Sequence, residues 1–345
     1  MFAYVNPGYL RTVSIAMATA NDPFKLSAFE IQRAQAKPLI RSLRRANTLI
    51  DIVFYDVTAF RRAMKLDGLD VSIHDPSDSS ARFAHALQEV DLNALANPEG
   101  AIVIVDASAT PHIQCFFDVS EFIRAKDGVS RIDSISVSGV GSSALGSAAL
   151  AWNVSSAMGK PVAAIVPGYG LADVVQQALG GFFGFGIYTY WMKQPLQNSL
   201  AFWLPGAASV GRSLVATLPG AKVDPNEAPV FQHGSGSSDV LVSILKHTDH
   251  IRTLVGHSKG ALVIENAIAD PDLPVEKLSR LKVLTFACSI AEQQGVGEYE
   301  QFLGIIDALG ILNSAGNRPE HSVPTWHSTN TEIPLTMHVA TLAHP

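Results

Sequence analysis

The chain has 345 residues, 47% hydrophobic and 16% charged, with a formal net charge of −6 and a mean hydropathy of +0.20. Such a length suits one enlarged α/β domain with insertions, or two domains, with ample apolar material for a core. The basic residues form no run longer than the patch at 41–45, which argues against nucleic acid as a partner, because a phosphate-binding face needs clustered Lys and Arg. No stretch of about 18 residues is purely apolar, so no transmembrane helix is expected. Arg11 followed by VSIAMATA is too short an apolar core for a signal peptide, and a cytoplasmic protein is predicted. Cys115 and Cys288 both sit in apolar stretches, which predicts buried, reduced thiols.

Residues 26–45 are rich in helix formers and predict a helix interrupted at Pro38. Residues 51–57 (DIVFYDV) read as a strand and residues 77–95 as a capped helix. The apolar run AIVIV at 101–105 has the pattern of a strand buried on both faces. From residue 134 the pattern is regular: strand ISVSG, an Ala-rich helix to about Met158, and strand PVAAIV. After a long interruption come helix 238–246, strand RTLVG, helix 259–268 and strand KVLTFA. Strands alternating with helices imply right-handed crossovers, and the predicted fold is α/β, a mainly parallel sheet with helices on both faces.

The strongest chemical signal is Gly256-His257-Ser258-Lys259-Gly260, between the apolar strand TLV and the helical run ALVIENAIA. A nucleophilic serine at this position needs a sharp strand-to-helix turn, which flanking glycines permit without Cβ clashes. The helix that follows aims its first amides at the site, where a developing oxyanion is stabilised. The bland alternative is a Gly-rich turn with a bystander serine. Upstream, Gly139-Val140-Gly141-Ser142 ends one strand and Pro167-Gly168-Tyr169-Gly170 ends the next. GVGSSA also fits a dinucleotide fingerprint, but the following strand ends without the acid that would hold a ribose.

From about residue 133 onward these motifs resemble the α/β-hydrolase superfamily of esterases and lipases. The resemblance implies that Gly139–Ser142 is the oxyanion loop, although Ser138 stands where the family usually has His. It also implies a triad in the order Ser, acid, His. The next strand candidate after KVLTFA is FLGII at 302–306, ending at Asp307, so Asp307 is the leading acid. Glu298 and Glu300 are weaker substitutes, and a helix cap before ALGIL is the alternative role of Asp307. Of the later histidines, His327 lies in the polar, Pro-bounded loop PTWHSTNTEIP beside Trp326, and it is preferred over His321. His257 is expected to pack or support rather than react. His247 and His250 could suggest a metal pair, but two ligands without a third are weak evidence, and no metal or cofactor is expected.

Residues 171–250 are far more than one crossover helix requires, and between 174 and 211 Lys193 is the only charge. The aromatic-rich GGFFGFGIYTYW and LAFWLPG predict an apolar, largely helical cap over the serine, or alternatively extra core helices or a face for a lipid surface. Phe182, Phe183, Tyr188, Trp191 and Trp203 are its candidate substrate-binding residues. The predicted organisation is thus a hydrolase core of residues 131–170 and 251–345, the inserted cap at 171–250, and residues 1–130 as the N-terminal part of the α/β unit or an extension. The implied activity is hydrolysis of a hydrophobic, small or lipid-like carboxylic ester by Ser258, His327 and Asp307, with an oxyanion hole from the Lys259 amide and the Val140–Gly141 loop. An acyltransferase on the same triad, and a non-catalytic binding protein on the same fold, are the competing readings.

Overall fold

The computed structural model describes residues 23–64, 99–108, 112–125, 131–139, 141–178, 186–212 and 227–342. In chain order the elements are helices α1 (Pro23–Phe54) and α2 (Val57–Ala63), strands β1 (Ile102–Asp106) and β2 (His112–Phe116), and helix α3 (Val119–Arg124). Strand β3 (Ser134–Val137), helix α4 (Ala144–Met158) and strand β4 (Val162–Ile165) follow. Then come helices α5 (Leu171–Ala178), α6 (Gly186–Trp203), α7 (Pro205–Ser209) and α8 (Gly236–His247). The chain continues through strand β5 (Thr253–His257), helices α9 (Lys259–Ile268) and α10 (Val275–Leu278), and strands β6 (Lys282–Phe286) and β7 (Glu298–Gly304). Helix α11 (Ala308–Asn313), strand β8 (His321–Val323) and helix α12 (Val339–Leu342) complete it.

All eight strands join one sheet in the order β2-β1-β4-β3-β5-β6-β7-β8. From β4 to β8 neighbouring strands run parallel, and β1 is antiparallel to both β2 and β4. The apolar run at 101–105 therefore lies inside the sheet, and residues 102–116 belong to the same α/β unit as the rest.

Side-chain alternation splits the sheet between two apolar layers. Ile135, Leu254 and Val283 face one layer, closed by Phe122 of α3, Leu241 and Ile244 of α8 and Leu262 of α9. Val105, Val255 and Leu284 face the other, closed by the Ala-rich side of α4 and by Val57 and Phe60 of α2. Small residues at 144, 148, 149 and 151 let α4 lie close against the strands. Helices therefore cover both faces, as a parallel sheet requires.

Three expectations need correction or lie elsewhere. The helix predicted over 26–45 with an interruption at Pro38 runs unbroken through that residue to Phe54; a proline inside a helix costs about 3 kcal/mol, which packing of α1 against α7, α4 and α5 offsets. The strand predicted at 51–57 is the last turn of α1 followed by the start of α2. Its β-branched residues Ile52 and Val53 are exposed, whereas Ile40, Arg44, Asn47, Asp51 and Tyr55 are buried at helical spacing. The helix predicted at 77–95 falls outside the described residues.

A buried ionic cluster fastens the long β4–β5 connection to the body. Lys193 of α6 lies 2.8 Å from Glu99 and 3.3 Å from Asp173. Arg212 pairs with the same two carboxylates, and Phe231 stacks under both cations. The sole charge in that apolar stretch thus anchors it. No helix among the described residues is long and apolar enough to cross a membrane.

Candidate active site

Ser258 sits between the last residue of β5 and the first of α9, with φ 54° and ψ −133°. This left-handed, strained backbone is uncommon for a residue with a Cβ, and two close approaches enforce it. A Cβ on Gly256 would meet Ala261 Cα at 2.6 Å, and one on Gly260 would meet the Val137 carbonyl oxygen at 2.1 Å. Both glycines of the motif are therefore required by contact with backbone, and the Ser258 amide donates to the Phe286 carbonyl at 2.8 Å.

The turn brings Ser258 to two of the other predicted residues. Ser258 Oγ lies 2.7 Å from His327 Nε2, and His327 Nδ1 lies 2.9 Å from both Asp307 carboxylate oxygens. All three are buried. With Nδ1–H donating to the carboxylate, Nε2 is left to accept the serine proton, the tautomer a general base needs. Asp307 fills both roles considered for it, because its Oδ1 also accepts the Gly310 amide at 2.7 Å and caps α11. The strand preceding it ends at Gly304, two residues earlier than predicted. Phe54, rather than Trp326, packs edge-on against the His327 ring at 5.5 Å, and Trp326 lies against Phe54.

The alternatives lie elsewhere. His321 stacks on Phe302 in the edge strand β8, and Glu298 and Glu300 pair with Lys282. His247 Nδ1 bonds to the Ser243 carbonyl of its own helix, and among the described residues no three His, Cys, Asp or Glu are grouped to hold a metal ion. Cys115 and Cys288 form no disulfide, and the first is half-buried and the second buried. Burial raises both pKa values, that of Cys115 to about 12.

Sequence reasoning placed His257 as a supporting residue but did not find its partner, Tyr55. The Tyr55 hydroxyl lies 2.9 Å from His257 Nδ1 and accepts the Gly139 amide at 2.7 Å and the Ser142 hydroxyl at 3.3 Å. His257 Nε2 lies 2.8 Å from the His327 carbonyl oxygen. A single tautomer satisfies these contacts: His257 donates from Nε2 and accepts the tyrosine proton at Nδ1. Desolvation lowers its pKa to about 3 and keeps it neutral. The loop 139–142 is in this way tied through Tyr55 and His257 to the backbone of His327.

That loop lies against the serine, since a Cβ on Gly139 would come within 3.4 Å of Ser258 Cβ. The amides of Gly139, Ser142 and Ser143 are taken up by Tyr55, the Gly139 carbonyl and Asp51 respectively. Gly141, at φ 88°, borders the cavity beside Ser258, and Val140 lies outside the described residues. Lys259 opens α9, where the first amides lack acceptors one turn back. Its side chain is buried rather than directed to solvent, and desolvation lowers its pKa to about 8.

The cavity measures about 70 Å³. Helix α1, unmatched at the level of sequence motifs, builds one wall with Asn47, Ile50, Asp51 and Phe54, Tyr55 follows it, and α11 contributes Leu309 and Asn313. Asp51 accepts both the amide and the hydroxyl of Ser143, at 2.8 and 2.7 Å, at the start of α4. Burial raises its pKa to about 7 against those hydrogen bonds. A protein carboxyl therefore occupies the helix terminus where a dinucleotide's pyrophosphate would bind.

Of the predicted substrate residues, Tyr188, Trp191 and Trp203 do not reach this cavity. They are exposed on α6 at 66%, 58% and 74%, and its inward face is Tyr190, Lys193 and Gln197. Phe182 and Phe183 lie outside the described residues. No protein-family model, no curated protein and no solved structure matches the chain.

Proposed function

We propose that this protein is a serine hydrolase of the α/β-hydrolase kind that cleaves a hydrophobic carboxylic ester through an acyl-enzyme on Ser258. The observation that carries this reading is the buried Ser258–His327–Asp307 hydrogen-bond chain beginning at a strained strand-to-helix turn. Such a chain gives a serine an adjacent base and gives the base an orienting carboxylate.

In the proposed reaction Ser258 Oγ attacks the ester carbonyl while His327 Nε2 takes the serine proton. The tetrahedral oxyanion is held by the Lys259 amide and by the Gly141 side of the loop. Collapse expels the alcohol, which leaves with the proton from His327. Water then attacks the acyl-enzyme, again giving its proton to His327, and the acid departs as the serine recovers its own. Asp307 keeps Nδ1 protonated and stabilises the imidazolium. Each oxyanion donor is worth about 3 kcal/mol in the transition state.

Ile50, Phe54, Tyr55 and Leu309 line the cavity and favour an apolar acyl group. The helices between β4 and β5 serve as the cap, since α6 lies against α11, which carries Leu309 and Asn313. Hydrolysis of p-nitrophenyl esters of graded acyl length by wild type and Ser258→Ala tests the reading. Turnover that falls at least about a thousand-fold in the variant supports it; equal turnover in both proteins refutes it.

A further inference from the structure

The cavity beside Ser258 contains a polar group that ester hydrolysis does not use. Asn313, the last residue of α11, is 1% exposed and borders the cavity. Neither its amide nitrogen nor its amide oxygen has a hydrogen-bond partner among the described residues. Folded proteins rarely bury a side-chain amide with both ends unmet, because each end loses its water without replacement. Asn47 of α1 and the buried Lys259 border the same cavity, so its lining is apolar with a polar end. The helix that ends at Asn313 begins at the Asp307 cap. One short rigid element thus orients His327 at one end and presents an unmet amide at the other.

We propose that Asn313 is a specificity residue that pairs with a carboxamide-like group on the substrate, a few bonds from the scissile carbonyl. The inference rests on the hydrolase reading for the identity of the scissile carbonyl. The chemistry follows from what is unmet. A donor nitrogen beside an acceptor oxygen on a planar amide matches a second amide, which returns a carbonyl to Nδ2 and an N–H to Oδ1. A carboxylate satisfies only Nδ2 and sets its own lone pairs against Oδ1. An alkyl group satisfies neither end. The small cavity, about 70 Å³, keeps the matching group close to the reacting carbon, so discrimination against analogues lacking it is expected to be strong.

Three acids of the same branched shape separate these cases: succinamate, succinate and 4-methylpentanoate. Isothermal titration of the wild-type chain with each reads binding without requiring turnover. Succinamate is expected to bind about ten-fold more tightly than 4-methylpentanoate, with succinate between them. Asn313→Leu, which keeps the branched shape but has no polar atom, is expected to bring succinamate and 4-methylpentanoate within about two-fold. Asn313→Asp, which trades the donor for a second acceptor, is expected to weaken succinate most. Circular dichroism of each variant checks the fold, and the Asp variant keeps the test open if the Leu variant does not fold. Equal affinity for all three acids, no binding of any, or a preference that survives Asn313→Leu overturns the proposal. Covalent labelling of Ser258 tests the hydrolase reading separately, so the two can fail independently.

Discussion

Replacing Tyr55 by Phe removes one oxygen and should disturb both stability and catalysis. The Tyr55 side chain is buried, and its hydroxyl meets three groups: the Gly139 amide at 2.7 Å, His257 Nδ1 at 2.9 Å and the Ser142 hydroxyl at 3.3 Å. Its loss takes away the partner of the first two. A buried group left unmet costs about 1–3 kcal/mol, so a total of about 3 kcal/mol is expected. At roughly 2.1 cal/mol/K of unfolding entropy per residue, the 345 residues convert this to a fall in Tm of about 4 °C. The same loss frees loop 139–142 beside Ser258, and misplacement of about 1 Å at a reacting centre can cost about a hundred-fold in rate. Thermal melts followed by circular dichroism and steady-state ester hydrolysis read the two effects. Tyr190→Phe is the control, because that hydroxyl is equally buried but bonds to Ser238 and Asn266, away from the serine. It should lower Tm with kcat unchanged. Wild-type Tm and wild-type kcat in Tyr55→Phe would refute the link from loop to histidine.

Other consequences follow from single contacts. Gly260→Ala forces a Cβ to 2.1 Å from the Val137 carbonyl and should abolish soluble expression or activity. Gly159→Ala, at φ 65° with no atom within 4 Å, should cost only about 1–2 kcal/mol in an unfolding titration, the strain of a left-handed residue with a Cβ. Asp307→Asn keeps an acceptor for the Gly310 amide but no longer holds Nδ1 protonated; kcat should drop about ten-thousand-fold with the fold intact by circular dichroism. The pKa of Asp51 is about 7 in the folded chain against about 3.9 unfolded, so the folded state holds the extra proton. Its contribution is fully present below pH 4 and is lost as pH rises through 7. Relative to Asp51→Asn, wild type should therefore lose up to about 1.4 kcal/mol per pH unit across that window, as urea titrations at a series of pH values would reveal. A stability difference independent of pH would contradict the buried-carboxyl assignment.

The structure was legible in sequence where one local pattern settles it. The run from Thr253 to Ile268 is apolar strand, glycine-flanked turn and amphipathic helix, and its order of elements follows from periodicity and glycine placement alone. Asp307 and His327 were picked out by the resemblance to the α/β-hydrolase superfamily, which implies an acid and then a histidine after the nucleophile. Two kinds of residue were not legible. The wall formed by α1 buries Arg44, Asn47 and Asp51 on the same helical face as Ile40 and Tyr55, and polar residues on a buried face defeat a hydrophobic pattern. The exposed Ile52 and Val53 then mimic a strand. The 3.6-residue spacing of that buried face was the available signal. In α6 aromatic density indicated apolar surface but not its direction. The helix turns Lys193 and Gln197 inward to meet Glu99 and the carbonyls of Ala208 and Pro229, leaving Trp191 and Trp203 outside. Long-range polar partners decide that orientation, and no local window contains them.

Covalent labelling asks whether Ser258 is an activated nucleophile. The purified chain is treated with a fluorophosphonate, digested, and the modified peptide identified by mass spectrometry, alongside Ser258→Ala and His327→Ala. A single phosphonylated serine is expected at position 258, absent from the first variant and strongly reduced in the second. Folded wild type that takes up no label, or that takes it up equally in all three proteins, would contradict it.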